Sequence, residues 1–147
     1  MDNITTRPIE EEDYIFINQW WKDSKYNPPP RELLPENGLH GIMICKADKP
    51  IACTYLYLTN SKMGYCDYLI SNPNYKSRDR FDIITRLMIS AIETAYKLGV
   101  LDFWFITNNK NMIKRCKELD VHVSKDSFNI IIPVRFNKNN NFRERGF

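Results

Sequence analysis

A run of cations stands directly before the longest amphipathic stretch of this chain. Lys76, Ser77, Arg78, Asp79, Arg80 and Phe81 fall at the expected start of a helix. A helix start leaves main-chain N–H groups unpaired and carries the positive end of the helix dipole. Lys76, Arg78 and Arg80 would add charge for a phosphate-bearing ligand. Asp79 and Asp82 put carboxylates in the same turn, so Asp79 can instead cap its own helix. Both readings of the turn stand. Other chemistries find less support. His40 and His122 are the two histidines, far apart and with no clustered cysteine, so no metal is expected. A Gly-x-Ser-x-Gly turn and a Walker-type phosphate loop are both missing from the sequence. His40, before Gly41 at a strand start, reads as a base or as a structural residue. Glu32 and Glu36 read as attractors of a cation or as solvated loop residues.

The elements that must carry these residues follow from composition and pattern. At 147 residues one domain is expected, and a hydrophobic share of 43% suffices for its core. The net charge of +3 is too small to argue for nucleic acid. Cys45, Cys53, Cys66 and Cys116 lack metal-ligand spacing and read as free thiols in a reducing compartment. The acidic start MDNITTRPIEEED has no signal-peptide character, and no apolar run reaches the roughly 20 residues of a membrane span. A soluble, cytoplasmic protein is expected.

A strand is expected over Asn3 to Ile9, then a helix opened by Glu10 to Asp13 and running to about Lys22. Its apolar positions are Ile15, Ile17, Trp20 and Trp21. The two tryptophans point about 100° apart. One belongs to the core, and the other packs under the following loop or shapes a pocket. That loop, Asp23 to Gly38, holds Pro28, Pro29, Pro30 and Pro35. Leu39 to Lys46, Ile51 to Leu58 and Met63 to Ser71 read as an antiparallel meander, with a turn at Ala47 to Pro50. Tyr55 and Tyr57 alternate with Leu56 and Leu58, so one pair faces the core and the other can line a groove. A helix over Asp79 to Leu98 buries Ile84, Leu87, Met88, Ala91, Ile92 and Ala95, with Gly99 as its C-cap. Leu101 to Thr107 reads as a central strand covered on both faces. A helix over Lys110 to Leu119 and a strand over Phe128 to Val134 complete the order. The Asn-rich, basic tail follows. The class is α+β: a mixed, mostly antiparallel sheet flanked by helices, β-α-β-β-β-α-β-α-β.

This order resembles the GCN5-related N-acetyltransferases. TTRPIEEEDYIFI is similar to their opening strand and helix, NPNYKSRDR to their basic turn, and TNNKNMIKRCKELDV to their Asn-containing turn and penultimate helix. The resemblance reaches Val134, giving a domain over 1–135 and a tail over 136–147. It implies acetyl-CoA as cofactor. The diphosphate would sit on the turn from Lys76 to Phe81. The amide arm would pair with the strand edge at Tyr68, Leu69, Ile70 and Ser71. An N–H near Leu69 or Ile70 would hold the thioester oxygen. Asn109 would bind the arm or cap its helix. Asp67 and Tyr68 occupy the region where the family often has its base. Cys116 takes the position of its proton-donating tyrosine, as donor or as core thiol. The family turn has the form basic-x-x-Gly-x-Gly/Ala, and its glycine positions are Asp79 and Phe81 here.

Two functions follow. One is transfer of an acetyl group to an amine of a small molecule or a protein. The other is a catalytically inactive binding or assembly module, with a protein partner held through the C-terminal tail. The Asn- and Lys-rich composition, compact size and glycine-free turn also resemble small bacteriophage acetyltransferase-like proteins. That resemblance implies a structural or host-interaction role in the host cytoplasm or virion.

Overall fold

Alternating and blockwise apolar residues form five strands and three α-helices in a computed structural model that describes residues 3–107, 109–118 and 122–124. The strands are β1 (Ile4–Pro8), β2 (Gly41–Lys46), β3 (Lys49–Leu58), β4 (Met63–Ser71) and β5 (Asp102–Phe105). The helices are α1 (Tyr14–Asp23), α2 (Arg80–Lys97) and α3 (Lys110–Glu118). The sheet order is β1-β2-β3-β4-β5, antiparallel except for the parallel pair β4–β5. This is the expected α+β architecture. The expected strand over Phe128 to Val134 and the tail over 136–147 lie outside the described residues.

The sheet separates two apolar layers. On one face α2 sets Ile83, Ile84, Leu87, Met88 and Ala91 against Ile42, Ile44, Ile51 and Ala52, with Met112 of α3 in the same cluster. Ile83 is fully buried, whereas Ile92 is 38% exposed, so the buried stripe of α2 is rotated from the expected one. On the other face Ile17 and Trp20 of α1 pack on Met43, Cys45, Cys53 and Tyr55. Ile15 is exposed. α2 ends at Gly99, whose φ of 86° suits a residue without Cβ.

Two turns differ from expectation. The β2–β3 hairpin closes through Ala47 and Asp48 alone, at φ 47° and 62°. Pro50 therefore lies within β3, opposite Cys45 at a register shift, where its missing N–H is tolerated. β5 is shorter than expected and not covered on both faces: Leu101, Trp104 and Ile106 are more than half exposed.

The long loop is pinned rather than loose. It holds 3-10 turns at Arg31–Leu33 and Pro35–Gly38. Arg31 stacks on Tyr14, with its guanidinium carbon 4.2 Å from the ring centroid, and pairs with Glu11. Before α1, buried Asp13 accepts two hydrogen bonds from Arg7, at 2.6 and 2.8 Å, and one from the Glu10 N–H at 2.8 Å. Burial works to raise the Asp13 pKa, but the Arg7 guanidinium and the Glu10 N–H outweigh it and hold it below the carboxylate range. The folded pKa is depressed, so this stabilisation is complete above the unfolded pKa and is lost as pH falls through the folded one. Asp13→Ala strands a cation that is one-third exposed. It should cost about 2–3 kcal/mol in urea unfolding at pH 7, below the cost of breaking a fully buried pair, and progressively less as the pH falls below about 4.

Candidate functional site

β4 is the element on which the site is built. It pairs with β3 along its whole length, from Leu58↔Gly64 to Ala52↔Ser71. It pairs with β5 only from Met63↔Asp102 to Cys66↔Phe105. From Asp67 onward its other edge has no strand partner among the described residues. A bulge marks the departure. Tyr55 pairs with Asp67 and Cys53 with Ile70, so Tyr68 and Leu69 together oppose Thr54. Tyr68 takes φ 53°, a left-handed conformation costing roughly 1–3 kcal/mol for a residue with a side chain. Two hydrogen bonds hold it. Asp67 Oδ1 accepts the Tyr68 N–H at 2.7 Å, and the Thr54 hydroxyl donates to the Asp67 carbonyl at 3.1 Å.

The bulge divides the expected site residues between the faces. Tyr68 packs with the α1 layer, where Asp67 also lies, two residues after Tyr65. Leu69 packs with the α2 layer. Ile70 and Ser71 are buried. The Asp67 charge acts on Tyr57, Tyr65 and Tyr68, whose phenols are raised first by burial and further by that charge. Cys116 lies on the α2 face with the core cluster. It lies within electrostatic reach of Cys66, the last β4 residue paired with β5. Burial pushes the Cys116 thiol up, so it is protonated at neutral pH. Asp67 and Cys116 thus lie on opposite faces of the sheet, beside the point where β4 and β5 part.

The basic turn follows from Ser71. Lys76, Ser77 and Arg78 are exposed. Asp79 stands at the N-cap of α2, yet its side chain makes no capping bond. Its carboxylate instead accepts from Lys46 Nζ at 2.6 Å and from the Tyr75 hydroxyl at 2.7 Å. Lys46, with Ser77 and Tyr75, holds the Asp79 pKa far below the carboxylate range, so its charge persists but is bound on the β2 side. The first N–H groups of α2 are therefore not taken by Asp79. Arg80 turns inward: its guanidinium donates to Ser71 Oγ at 2.5 Å and to the Tyr75 carbonyl at 3.2 Å. Asn109 caps α3, accepting from the N–H groups of Asn111 and Met112 at 3.0 and 3.2 Å. Trp104 of β5 is 55% exposed.

Arg115 carries a signal that the sequence reading missed. It is only 8% exposed, and its Nε is buried with no hydrogen-bond partner among the described residues. Its guanidinium carbon lies 4.2 Å from the ring centroid of Phe81, in the first turn of α2. Burial lowers the Arg115 pKa, and the nearby Arg80 charge lowers it further. A buried guanidinium beside a helix start, with one N–H unpartnered among the described residues, is an anion-receptive arrangement. Nothing in the basic sequence of α3 marks this arginine out, and burial alone distinguishes it.

Among the described residues, no group of His, Cys, Asp and Glu is placed to hold a metal, and the described cysteines are free. No helix among them is long and apolar enough to cross a membrane. A cavity of about 340 Å³ lies away from this site, between β1, the start of β2 and the later part of α2. Its lining is mainly apolar and its cation, Arg7, is already paired with Asp13.

Neither a protein-family model nor a curated protein matches the chain. Solved structures do. N-acetylglutamate synthase from Neisseria gonorrhoeae, complexed with coenzyme A and N-acetyl-glutamate, superposes at a TM-score of 0.62 and 14% identity over 78% of this chain and 28% of its own. An aminoglycoside acetyltransferase from an uncultured soil metagenomic sample, in complex with sisomicin, gives 0.64 at 9% identity over 90% of this chain and 97% of its own. A GNAT family acetyltransferase from Staphylococcus aureus gives 0.58 at 15% identity over 90% of this chain and all of its own. With its mixed five-stranded sheet and flanking helices, this chain has the fold of the GNAT acetyltransferases.

Proposed function

We propose that the chain is an N-acyltransferase that passes an acetyl group from acetyl-CoA to an amine. The observation that carries this reading is the parting of β4 from β5 at a bulge, beside a helix start lined by cationic groups. The residues present suit the cofactor. Lys76 and Arg78 offer exposed charge, Arg115 offers a buried guanidinium whose Nε is unpartnered among the described residues, and α2 offers its N-terminal N–H groups. The edge of β4 at Leu69 and Ile70, which no described strand covers, suits an amide-bearing arm.

Bound acetyl-CoA would supply the activated thioester. Asp67 would accept the proton of the acceptor ammonium, with Tyr68 beside it on the same face. A main-chain N–H at Leu69 or Ile70 would donate to the thioester oxygen as negative charge develops there. Cys116, kept as a thiol by burial, would give its proton to the leaving sulfur from the opposite face.

A second reading is favoured by the turn itself. The positions where the family has glycine hold Asp79 and Phe81, and Phe81 bridges α2 to α3 through Arg115. That contact would suit an inactive member keeping the fold for binding or assembly.

Calorimetric titration with acetyl-CoA separates the two. The acyltransferase reading expects micromolar affinity, weakened at least tenfold in Lys76→Glu/Arg78→Glu. Absence of binding at millimolar cofactor overturns it in favour of the inactive module. Arg115→Met provides a second check. Without cofactor it should unfold within about 1 kcal/mol of the parent or be more stable, because it replaces an unpaired buried charge with an apolar chain. The thermal shift caused by acetyl-CoA should shrink in the same variant. A loss of ~2 kcal/mol or more without cofactor would make Arg115 a structural residue instead.

A further inference from the structure

The α1 face of the site carries a continuous aromatic wall. Tyr65 stacks on Tyr57 with centroids 4.6 Å apart and planes at 5°. Tyr57 lies 6.5 Å from Tyr68, Tyr68 lies 6.2 Å from Trp21, and Trp21 lies 6.2 Å from Tyr26. The wall thus crosses β3, the bulge of β4, the end of α1 and the loop after it. It is partly open to solvent: Tyr65 is 38% and Tyr26 65% exposed. The Tyr57 hydroxyl donates to the Leu33 carbonyl at 2.9 Å, which ties the loop to the wall.

One carboxylate stands within this wall. Asp67 is exposed, and its charge is felt by Tyr57, Tyr65 and Tyr68. Oδ1 is engaged by the Tyr68 N–H, which fixes the side chain beside the bulge. Arg31 of the loop is already paired with Glu11 and bonded to the Asn37 carbonyl. Aromatic faces and a fixed carboxylate together attract a cation with an apolar stem. They disfavour a ligand whose amine adjoins its own carboxylate, because that carboxylate would meet Asp67.

We infer that this wall is the acceptor subsite and that it takes an extended alkylammonium, of the diamine or lysine side-chain kind, rather than an α-amino acid. The inference rests on the acyltransferase reading for the fate of the amine, but the cation site stands on its own contacts. In the transfer, the ammonium would give one proton to Asp67 and the free amine would form the C–N bond to the acetyl carbon; the C–S bond would break with the sulfur taking a proton from Cys116, and the second proton of the nitrogen would restore the Cys116 thiol through solvent, leaving the neutral amide and the free thiol.

The test uses the full chain and begins without acetyl-CoA. Calorimetry with cadaverine, with an Nα-acetyl-lysine amide and with glutamate should show binding of at least one alkylammonium and none of glutamate. The stronger of the first two identifies a small-molecule or a protein-borne acceptor. Asp67→Asn keeps an oxygen for the Tyr68 N–H, and should weaken the alkylammonium at least tenfold with acetyl-CoA affinity unchanged. Tyr65→Leu keeps the apolar area and should weaken it about threefold through the lost cation–π attraction. Preferential binding of glutamate, or alkylammonium binding unaffected by Asp67→Asn, overturns the inference. Alkylammonium binding without acetyl-CoA binding leaves this site standing and removes the acyltransferase reading. Acetyl-CoA binding with no alkylammonium binding does the reverse.

Discussion

β4 must satisfy two neighbours whose paths diverge, and the rest of the site depends on how it does so. Its hydrogen bonds to β3 run to Ser71, while those to β5 stop at Cys66. A strand can leave one neighbour and keep the other only if its twist changes locally, and the extra residue at Tyr68–Leu69 supplies that change. The strain at Tyr68 is offset by the Asp67 carboxylate and the Thr54 hydroxyl, which lock the bulge from both sides. The same bulge stands where β4 leaves its last described neighbour, and it sends Tyr68 and Leu69 to opposite apolar layers.

Charge at the start of α2 is arranged against the simplest expectation. A carboxylate at an N-cap position would ordinarily occupy the helix N–H groups. Here Lys46, reaching across from β2, draws Asp79 away, and the Tyr75 hydroxyl holds its other oxygen. Meanwhile Arg115 brings a cation from α3 into the same region, with no partner for its Nε among the described residues. The negative group is bound by Lys46, and the described residues leave one N–H of the positive group open. A helix start left in that condition favours an anion more than the glycine-free sequence of the turn suggests.

The α1 face is organised by aromatic packing and by a loop that is proline-rich yet tethered. Arg31 binds it to Glu11 and Tyr14, and Tyr57 binds it at Leu33. A loop of this length normally loses definition unless such contacts hold it. Under it, Tyr55 is fully buried and its hydroxyl has no partner among the described residues, as is also true of Trp21 Nε1. Two unpaired donors beneath one loop mark a place where stability has been given up, which is common beside binding surfaces.

Local pattern was enough for much of this. Period-two and period-3.6 apolar spacing located β4, α1 and α2 within a residue or two, and their order pointed to the α+β sheet and to the acetyltransferase fold. Where the reading went astray, a distant partner had decided the outcome. Pro50 looked like turn, but a two-residue hairpin and a bulge against β2 made it strand. Leu101 to Thr107 looked doubly covered, but its neighbours leave Trp104 and Ile106 exposed. Whether Asp79 caps its helix stayed open in the sequence because Lys46, which binds it, is far away in the chain. Arg115 drew no notice because its place depends on Phe81 and α2. Sequence by itself determined the elements, since those rest on neighbours three or four residues away. Tertiary structure alone decided which charges are paired, which cation is buried and where the sheet parts, because each depends on groups brought together from different elements.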